Sequence, residues 1–207
     1  MFRKFQKLMF GCLPICLILS CNFSQDPDEV ATQNYVDYVN IHRNEMQSYF
    51  KSDDSPLPPD KRKHFIGIDY YPVHERYRVT AQFTPIADGE VFRMAATGKE
   101  ADVYQTAGTV TFTLDSINCT LEIYKNITLQ AEQGKHAYFI PFYDRTNGVE
   151  TYSGGRYLDV VIPDAQQLIL DFNLTYQPYC YYNSAYSCPI PPLNNRLPLH
   201  VRAGEKM

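Results

Sequence analysis

Residues 109–124, TVTFTLDSINCTLEIY, decide the fold because two alternating runs flank one polar turn. The apolar positions of the two runs are Val110, Phe112 and Leu114, and then Cys119, Leu121 and Ile123. A period of two places every second side chain on the same face of a strand, so each run is predicted to be a half-buried strand. The polar stretch 115–118 between the runs predicts the turn of a β-hairpin.

The same period recurs on both sides of this hairpin. Residues 76–83 alternate upstream, and further strands are predicted downstream at 136–143, 156–162, 167–175 and 197–203. No long helical crossover follows residue 60, which argues against a parallel α/β sheet. The sequence therefore predicts a mainly β fold, in which an antiparallel sandwich or barrel-like sheet is preceded by one N-terminal α-helix.

The N-terminal helix is predicted from a start signal and an apolar stripe. Asp26 is a typical helix cap, and Pro27 suits the first helical position. Four residues then share one face at helical spacing: Tyr35, Val39, Met46 and Phe50. The helix is therefore expected to reach about residue 50 and to pack on the body, with a proline-containing linker at 51–63. Residues 29–207 are expected to form a single domain, which residues 21–28 tether.

The first twenty residues resemble a bacterial export signal. A basic start at Arg3, Lys4 and Lys7 precedes the apolar stretch 8–20, which is too short to span a bilayer comfortably. The residues Ile-Leu-Ser before Cys21 resemble the lipoprotein box, in which the cysteine is acylated after cleavage. Residues 1–20 are thus predicted to be a lipoprotein signal peptide and Cys21 the lipid anchor. This places the protein in the cell envelope, on a bacterial membrane. The alternative is an ordinary signal peptide with a cysteine near the cut.

Charge argues against nucleic acid as a partner. The signal peptide holds three of the 19 basic residues and no acidic one, which leaves 16 basic against 23 acidic residues in the mature chain. An acidic chain repels phosphate backbones, so no nucleic-acid binding is expected. No cofactor is predicted, because the glycines at 154–155 lack the strand–helix context of a phosphate-binding loop.

The candidate site is the polar residues of 142–206. Charges among strand-forming residues must be paired or hydrogen-bonded, and such groups often mark a site. The candidates are Asp144, Glu150, Arg156, Asp159, Asp171, Asn173, Tyr176, Asn195, Arg196 and Glu205. Arg156 shares a face with apolar neighbours, so burial beside a carboxylate of Asp144, Glu150 or Asp171 is expected. The alternative is that Asp171, Asn173 and Thr175 form a stripe on a solvated sheet face.

Two cysteines lie in a loop rich in tyrosine and proline. Cys180 and Cys188 are separated by seven residues, and in an oxidising envelope a disulfide between them is the favoured prediction. A metal site that includes His200, a reactive thiol and two inert thiols remain alternatives. No metal site is predicted, because the close cysteine pairing of structural zinc sites is absent. Cys119 points with the apolar residues of its strand and is expected to be a buried thiol.

The last third also resembles a known family. Its motifs are FIPFYDRTNG at 139–148, ETY at 150–152, GRYLD at 155–159, DFN at 171–173, CYY at 180–182, SCP at 187–189, NRL at 195–197 and AGEK at 203–206. These motifs resemble the bacterial domain-of-unknown-function 1684 family over about residues 35–206. The resemblance implies a bacterial protein without an established activity.

Two classes of function fit these residues. The first is a lipid-anchored protein that binds a small molecule or glycan in a polar and aromatic pocket built by residues 142–206. The second is an envelope hydrolase that uses two of the carboxylates of Asp144, Glu150, Asp159 and Asp171 as general acid and base. Two converging carboxylates in an open cleft would favour hydrolysis. Neutralisation of one carboxylate by Arg156 beneath aromatic residues would favour binding, which is the preferred prediction.

Overall fold

The computed structural model describes residues 27–98, 102–133, 138–162 and 166–207. The predicted signal peptide, the helix cap Asp26 and the predicted lipid anchor Cys21 lie outside these residues. Within the described ranges, no helix combines the length and the apolar character that crossing a membrane requires.

Seven strands and four helices make up the described chain. The helices are α1 (Pro27–Lys51), α2 (Pro59–Arg62), α3 (Ile127–Gln133) and α4 (Tyr179–Tyr182). The strands are β1 (Arg78–Pro85), β2 (Val91–Arg93), β3 (Val103–Leu114), β4 (Ile117–Asn126), β5 (Tyr138–Phe142), β6 (Arg156–Val160) and β7 (Gln167–Asp171). Short 3-10 turns, Glu75–Tyr77 and Phe172–Leu174, precede β1 and follow β7.

The strands form one antiparallel sheet with the order β6-β5-β4-β3-β1-β7, and β2 pairs with β3 as a branch. The sheet curls into a half-barrel. This confirms the predicted mainly β, antiparallel fold with a helix at its N-terminal end. The β3–β4 hairpin has a two-residue turn, whereas the other neighbouring strands are joined by longer connections, so the alternation within each strand was the guide to this sheet.

The β3–β4 hairpin follows the predicted alternation. Phe112 lies opposite Cys119, and both are buried. The turn is shorter than predicted, because Asp115 and Ser116 alone form it, with φ values of 49° and 63°. Two consecutive left-handed residues match the right-handed twist of the strands that they join. Asn118, which was assigned to the turn, already pairs with Thr113 in the ladder.

The predicted strand at 167–175 ends early, at Asp171. Its carboxylate accepts a hydrogen bond from the backbone N–H of Asn173 at 3.0 Å and so caps the 3-10 turn. This turn removes the strict alternation on which a solvated polar stripe depended. Asp171, Asn173 and Thr175 are instead all buried.

The predicted strand at 197–203 is not a strand. Its alternating apolar residues are buried as expected: Leu197, Leu199, Val201 and Ala203. At its start the backbone pairs with the chain just after β5, where the Leu197 N–H donates to the Tyr143 carbonyl oxygen at 2.8 Å and the Arg145 N–H donates to the Leu199 carbonyl oxygen at 3.0 Å. The carbonyl oxygens of Val201 and Ala203 accept hydrogen bonds from the guanidinium group of Arg156 instead. A side chain therefore satisfies the polar groups that a strand partner would otherwise bind.

Helix α1 packs on the body through one face, as its apolar stripe predicted. Val39 and Phe50 are buried, and Phe50 lies in a small core with Leu57 and Ile68. The main core lies on one face of the sheet and includes Phe112, Ile123, Phe142 and Phe172. The helix thereby covers the region beside β6 and the chain that follows β7.

Candidate functional site

The ten predicted site residues do not form one pocket. Four of them line a large cavity, and the other six make structural or surface contacts elsewhere. The six outside the cavity are Asp144, Glu150, Arg156, Asp171, Asn195 and Arg196.

Arg156 is fully buried and paired with Asp144, one of its three predicted partners. The Arg156 Nη2 atom lies 2.5 Å from a carboxylate oxygen of Asp144, and neither side chain is exposed. The second carboxylate oxygen of Asp144 accepts hydrogen bonds from the backbone N–H and the hydroxyl group of Thr146. Arg156 Nη1 donates to the carbonyl oxygens of Ala203 and Glu205, at 2.5 and 3.2 Å. The pair is thus committed to holding the C-terminal segment.

The other two predicted partners of Arg156 are bound elsewhere. Glu150 forms a bidentate ion pair with Arg202 at the surface and also accepts a hydrogen bond from the Tyr71 hydroxyl group. Asp171 accepts hydrogen bonds from the Tyr35 hydroxyl group at 2.9 Å, which ties helix α1 to the end of β7. Both contacts account for the charges without a ligand.

Asn195 and Arg196 also have structural contacts. The buried Asn195 side chain accepts from the Glu122 N–H at 2.8 Å and donates to the carbonyl oxygens of Glu122 and Pro141. It therefore fastens its loop to β4 and β5. The Arg196 guanidinium lies over the ring of Tyr143, with 4.7 Å between the guanidinium carbon and the ring centre.

The cavity has a volume of about 680 Å³ and lies between helix α1, strand β6 and the chain after β7. Its predicted residues are Asp159, Asn173, Tyr176 and Glu205. Its walls are mainly apolar and include Met46, Phe50, Tyr70, Tyr157, Tyr179 and Tyr186. The pocket is therefore not built by residues 142–206 alone, since α1 and residues near the ends of β3 and β4 also line it. A cavity of this size, with a mainly apolar surface and polar groups at its walls, is typical of a small-molecule site.

Arg43 is the main functional candidate that sequence reasoning missed. Its guanidinium lies over the Tyr70 ring at 4.6 Å, and Nη2 donates to the Asn173 carbonyl oxygen at 3.4 Å. Its Nε atom is buried without a hydrogen-bond partner, and Arg43 takes part in none of the ion pairs among the described residues. Burial lowers the pKa of Arg43 from its ordinary value. The helical spacing of Met46 and Phe50 had pointed to the packed face of α1, but not to this cation beside it.

Glu205 places a buried carboxyl group in the cavity wall. It accepts hydrogen bonds from the Gln177 backbone N–H and the Tyr182 hydroxyl group, both at 2.8 Å. Burial nevertheless raises its pKa to about 7, because these two donors and the more distant arginines only partly replace water. Near neutral pH, this group is therefore divided between its charged and neutral forms.

Asp159 and Tyr176 form a second polar pair in the cavity. The Tyr176 hydroxyl group donates to the Asp159 carboxylate at 2.8 Å. Asp159 is accessible to solvent yet surrounded by protein, as expected of a group on a cavity wall. This environment raises the pKa of Asp159, against the opposing effects of Tyr176 and of nearby His42. His42 lines the cavity rather than packing into the helix interface.

The predicted disulfide between Cys180 and Cys188 is not formed in the structure, in which both residues are free thiols. The two side chains are nevertheless hydrogen-bonded to each other. Cys119 is buried, and burial raises its pKa. No group of three or more His, Cys, Asp or Glu side chains in the described part of the chain is arranged to hold a metal ion.

The structure does not bring together two of the four carboxylates that the sequence offered for hydrolysis. Of the four carboxylates considered for hydrolysis, only Asp159 lines the cavity. Asp144 is neutralised by Arg156, and Glu150 is bound to Arg202 outside the cavity. Hydrolysis by a general acid and a general base needs two carboxylates beside one substrate, so no pair drawn from these four is available in the cavity.

Comparison with known proteins agrees with the fold and adds no activity. The model of a family described as protein of unknown function, DUF1684, matches residues 63–206. A solution NMR structure of an uncharacterised protein of Haloarcula marismortui is similar to this chain, with 29% identity and a TM-score of 0.66. The match covers 86% of this chain and 97% of that one. No curated protein matches the chain.

Replacing Arg156 by alanine should strongly lower the free energy of unfolding. The change leaves the Asp144 carboxylate buried without its cation, a defect that typically costs about 3–5 kcal/mol. Arg202→Ala, which breaks the exposed pair with Glu150, is the matched control and should have a far smaller effect. Denaturant unfolding measures both. Equal, small effects of the two changes would mean that the Arg156 pair contributes little to the fold.

Glu205 should make the protein less stable as the pH rises from about 4.5 to about 7. Its pKa is higher in the folded than in the unfolded protein, so folding is favoured while the group is protonated and the advantage is lost as it ionises. Glu205→Gln should therefore gain stability relative to the wild type across this window, by up to about 3 kcal/mol.

Denaturant unfolding at several pH values tests this prediction. Glu150→Gln is the control, because hydrogen bonding to Arg202 lowers the pKa of Glu150 instead. Glu150 contributes to the free energy of unfolding above its ordinary pKa, and this contribution is lost as the pH falls. Its pH dependence is therefore opposite to that of Glu205. An unchanged pH profile in Glu205→Gln would show that Glu205 does not titrate in this window.

Proposed function

Because the chain belongs to the DUF1684 family of proteins of unknown function, we propose its function from its own cavity. The protein is a lipid-anchored binding protein of the bacterial cell envelope, and it holds a small organic anion with a mainly apolar body. The observation that carries this proposal is the cavity of about 680 Å³, whose mainly apolar walls contain a cation that forms no ion pair with any residue the structure describes.

The walls indicate the body of the ligand. Aromatic rings from α1, β6 and the segment after β7 surround the space, and such rings offer flat apolar surfaces. A glycan, the other ligand considered, would need many polar partners for its hydroxyl groups. The surface that these walls expose is mainly apolar, which favours a molecule that is largely apolar.

Arg43 indicates the charged end of the ligand. A buried N–H without a partner is costly, and a ligand acceptor at Nε would relieve that cost. The planar guanidinium is suited to bind a carboxylate or phosphate through two hydrogen bonds. Tyr70 already stacks on its face, which restrains the group in the orientation that the ligand would meet.

The predicted anchor supports the same class of ligand. Helix α1 begins at Pro27, six residues after Cys21. Even fully extended, a tether of this length spans only about 20 Å. A lipid on Cys21 would thus hold the start of helix α1 close to a membrane, where amphipathic molecules concentrate.

A matched pair of ligands tests the proposal. Decanoate and decanol share an apolar chain and differ at the head group, so decanoate should raise the melting temperature of the protein more strongly. Arg43→Gln should abolish the preference for the acid while retaining weak binding of the alcohol. Arg196→Gln is the control, because Arg196 also lies over a tyrosine ring but outside the cavity.

Four outcomes can be distinguished. The proposal is supported if the wild type and Arg196→Gln prefer decanoate over decanol and Arg43→Gln does not. Equal binding of acid and alcohol would retain an apolar pocket and remove the role of Arg43. Stabilisation by an envelope oligosaccharide but by neither probe would favour a glycan site. No binding of any of these compounds would contradict the binding function.

Lipidation is tested separately. Cys21→Ala removes the only thiol at the predicted cleavage site, so the variant should leave the membrane fraction or accumulate with its signal peptide uncleaved. Mass spectrometry of the N-terminal peptide and detergent partitioning measure these outcomes. Normal processing and membrane partitioning of the variant would contradict the lipoprotein assignment.

A further inference from the structure

The thiols of Cys180 and Cys188 are held in contact by the backbone around them. The Cys180 N–H donates to the Cys188 sulfur at 3.1 Å, and the two side chains are hydrogen-bonded. Thr97 fixes the second cysteine from both sides of its backbone: the Thr97 N–H donates to the Cys188 carbonyl oxygen at 2.9 Å, and the Cys188 N–H donates to the Thr97 hydroxyl oxygen at 3.0 Å. The Cys188 sulfur therefore lies beside Cys180 without a covalent bond.

The two thiols differ in access and in surroundings. Cys188 is buried, whereas Cys180 is half-buried. The Cys180 sulfur also interacts with the side chains of Thr97 and Tyr152. Hydrogen bonds from Cys188, from Thr97 and from Tyr152 stabilise a thiolate at Cys180 and lower its pKa to about 6. Sharing the proton with that thiolate raises the pKa of Cys188.

We propose that Cys180 and Cys188 form a thiol–disulfide exchange site, in which the more accessible Cys180 attacks a disulfide and the buried Cys188 resolves the product. The substrate class is a small disulfide, R–S–S–R, that reaches the surface beside Tyr152. This activity is separate from ligand binding by Arg43, although Cys188 also lines the cavity.

The reaction has two steps. The Cys180 thiolate attacks one sulfur of R–S–S–R, so that a mixed disulfide forms and R–S⁻ leaves and takes up a proton. The Cys188 thiol then loses its proton to solvent and attacks the Cys180 sulfur, which releases the second R–S⁻. Two electrons pass from the protein to the disulfide. The products are two R–SH molecules and a disulfide between Cys180 and Cys188.

The contacts of Cys180 and Cys188 favour exchange over a metal site or an inert pair of thiols. A structural metal site would need further ligands, and the described residues contain no such cluster. An inert pair would need no polar groups around the more accessible sulfur. The combination of a stabilised thiolate, a neighbouring thiol and partial exposure is the arrangement that exchange requires.

The test uses the full-length protein, reduced with dithiothreitol and then exposed to oxidised glutathione. Both cysteines lie in the tryptic peptide 157–196, and Cys119 lies in the separate peptide 100–125. In the wild type, peptide 157–196 should become lighter by two hydrogen atoms and carry no lasting glutathione. The rate should be half-maximal near pH 6, whereas an ordinary cysteine requires about pH 8.5.

Two variants assign the roles. Cys188→Ser should trap glutathione on Cys180, and Cys180→Ser should leave Cys188 almost unreacted. Cys119 in its own peptide is the internal control for a buried thiol without a neighbouring cysteine. The wild-type measurement does not depend on the folding of either variant.

Several results would overturn the proposal. Lasting glutathione adducts on both cysteines of the wild type would show that Cys188 does not resolve the intermediate. A rate equal to that of Cys119, or one that is half-maximal above about pH 8, would show that Cys180 is not activated. A disulfide that forms but is not reopened by excess reduced glutathione would show a structural bond instead of an exchange site.

Discussion

The fold depends on the buried guanidinium group of Arg156. The C-terminal segment 197–203 brings apolar side chains into the core, yet its backbone pairs with the chain after β5 only up to Leu199. Arg156 supplies the missing donors to Val201, Ala203 and Glu205, while Asp144 balances its charge. A buried ion pair is seldom a net source of stability by itself, because desolvation is costly. Here the Arg156–Asp144 pair favours one placement of segment 197–203 over all others, because only that placement brings its carbonyl oxygens to the guanidinium group.

This constraint also places a group in the cavity wall. Arg156 binds the carbonyl oxygen of Glu205, while the carboxyl group of the same residue turns to Gln177 and Tyr182. Through its backbone, Glu205 therefore helps Arg156 to hold the C-terminal segment, and through its side chain it forms part of the cavity wall. The polar residues of the last third are thus of two kinds: those that hold the C-terminal segment through Arg156, and those that line the cavity. Because Glu205 takes part in both, the two kinds occur together in the sequence.

The sequence predicted those features that depend on neighbours along the chain. The β3–β4 hairpin and the stripe on α1 were found because their periods are local, and Arg156 because a charge on an apolar face needs a partner. The strand predicted at 197–203 was wrong because buried residues alternate in any extended segment, whether or not its backbone pairs as a strand. The cavity was predicted only in part, since α1, which forms one of its walls, is distant in sequence from residues 142–206. Arg43 follows Val39 by four residues and precedes Phe50 by seven, so its place at the edge of the apolar stripe was the local signal that could have found it.

The charges in the cavity bear on one another. Glu205 and Arg43 both line it, and Glu205 favours the charged form of Arg43 across that space. An anion bound at Arg43 would in turn disfavour the ionised form of Glu205, because like charges in a mainly apolar space repel. Protonation of Glu205 and binding of an organic anion are therefore mutually favourable, and linkage requires the coupling to act in both directions. Since burial sets the pKa of Glu205 at about 7, this coupling operates at neutral pH.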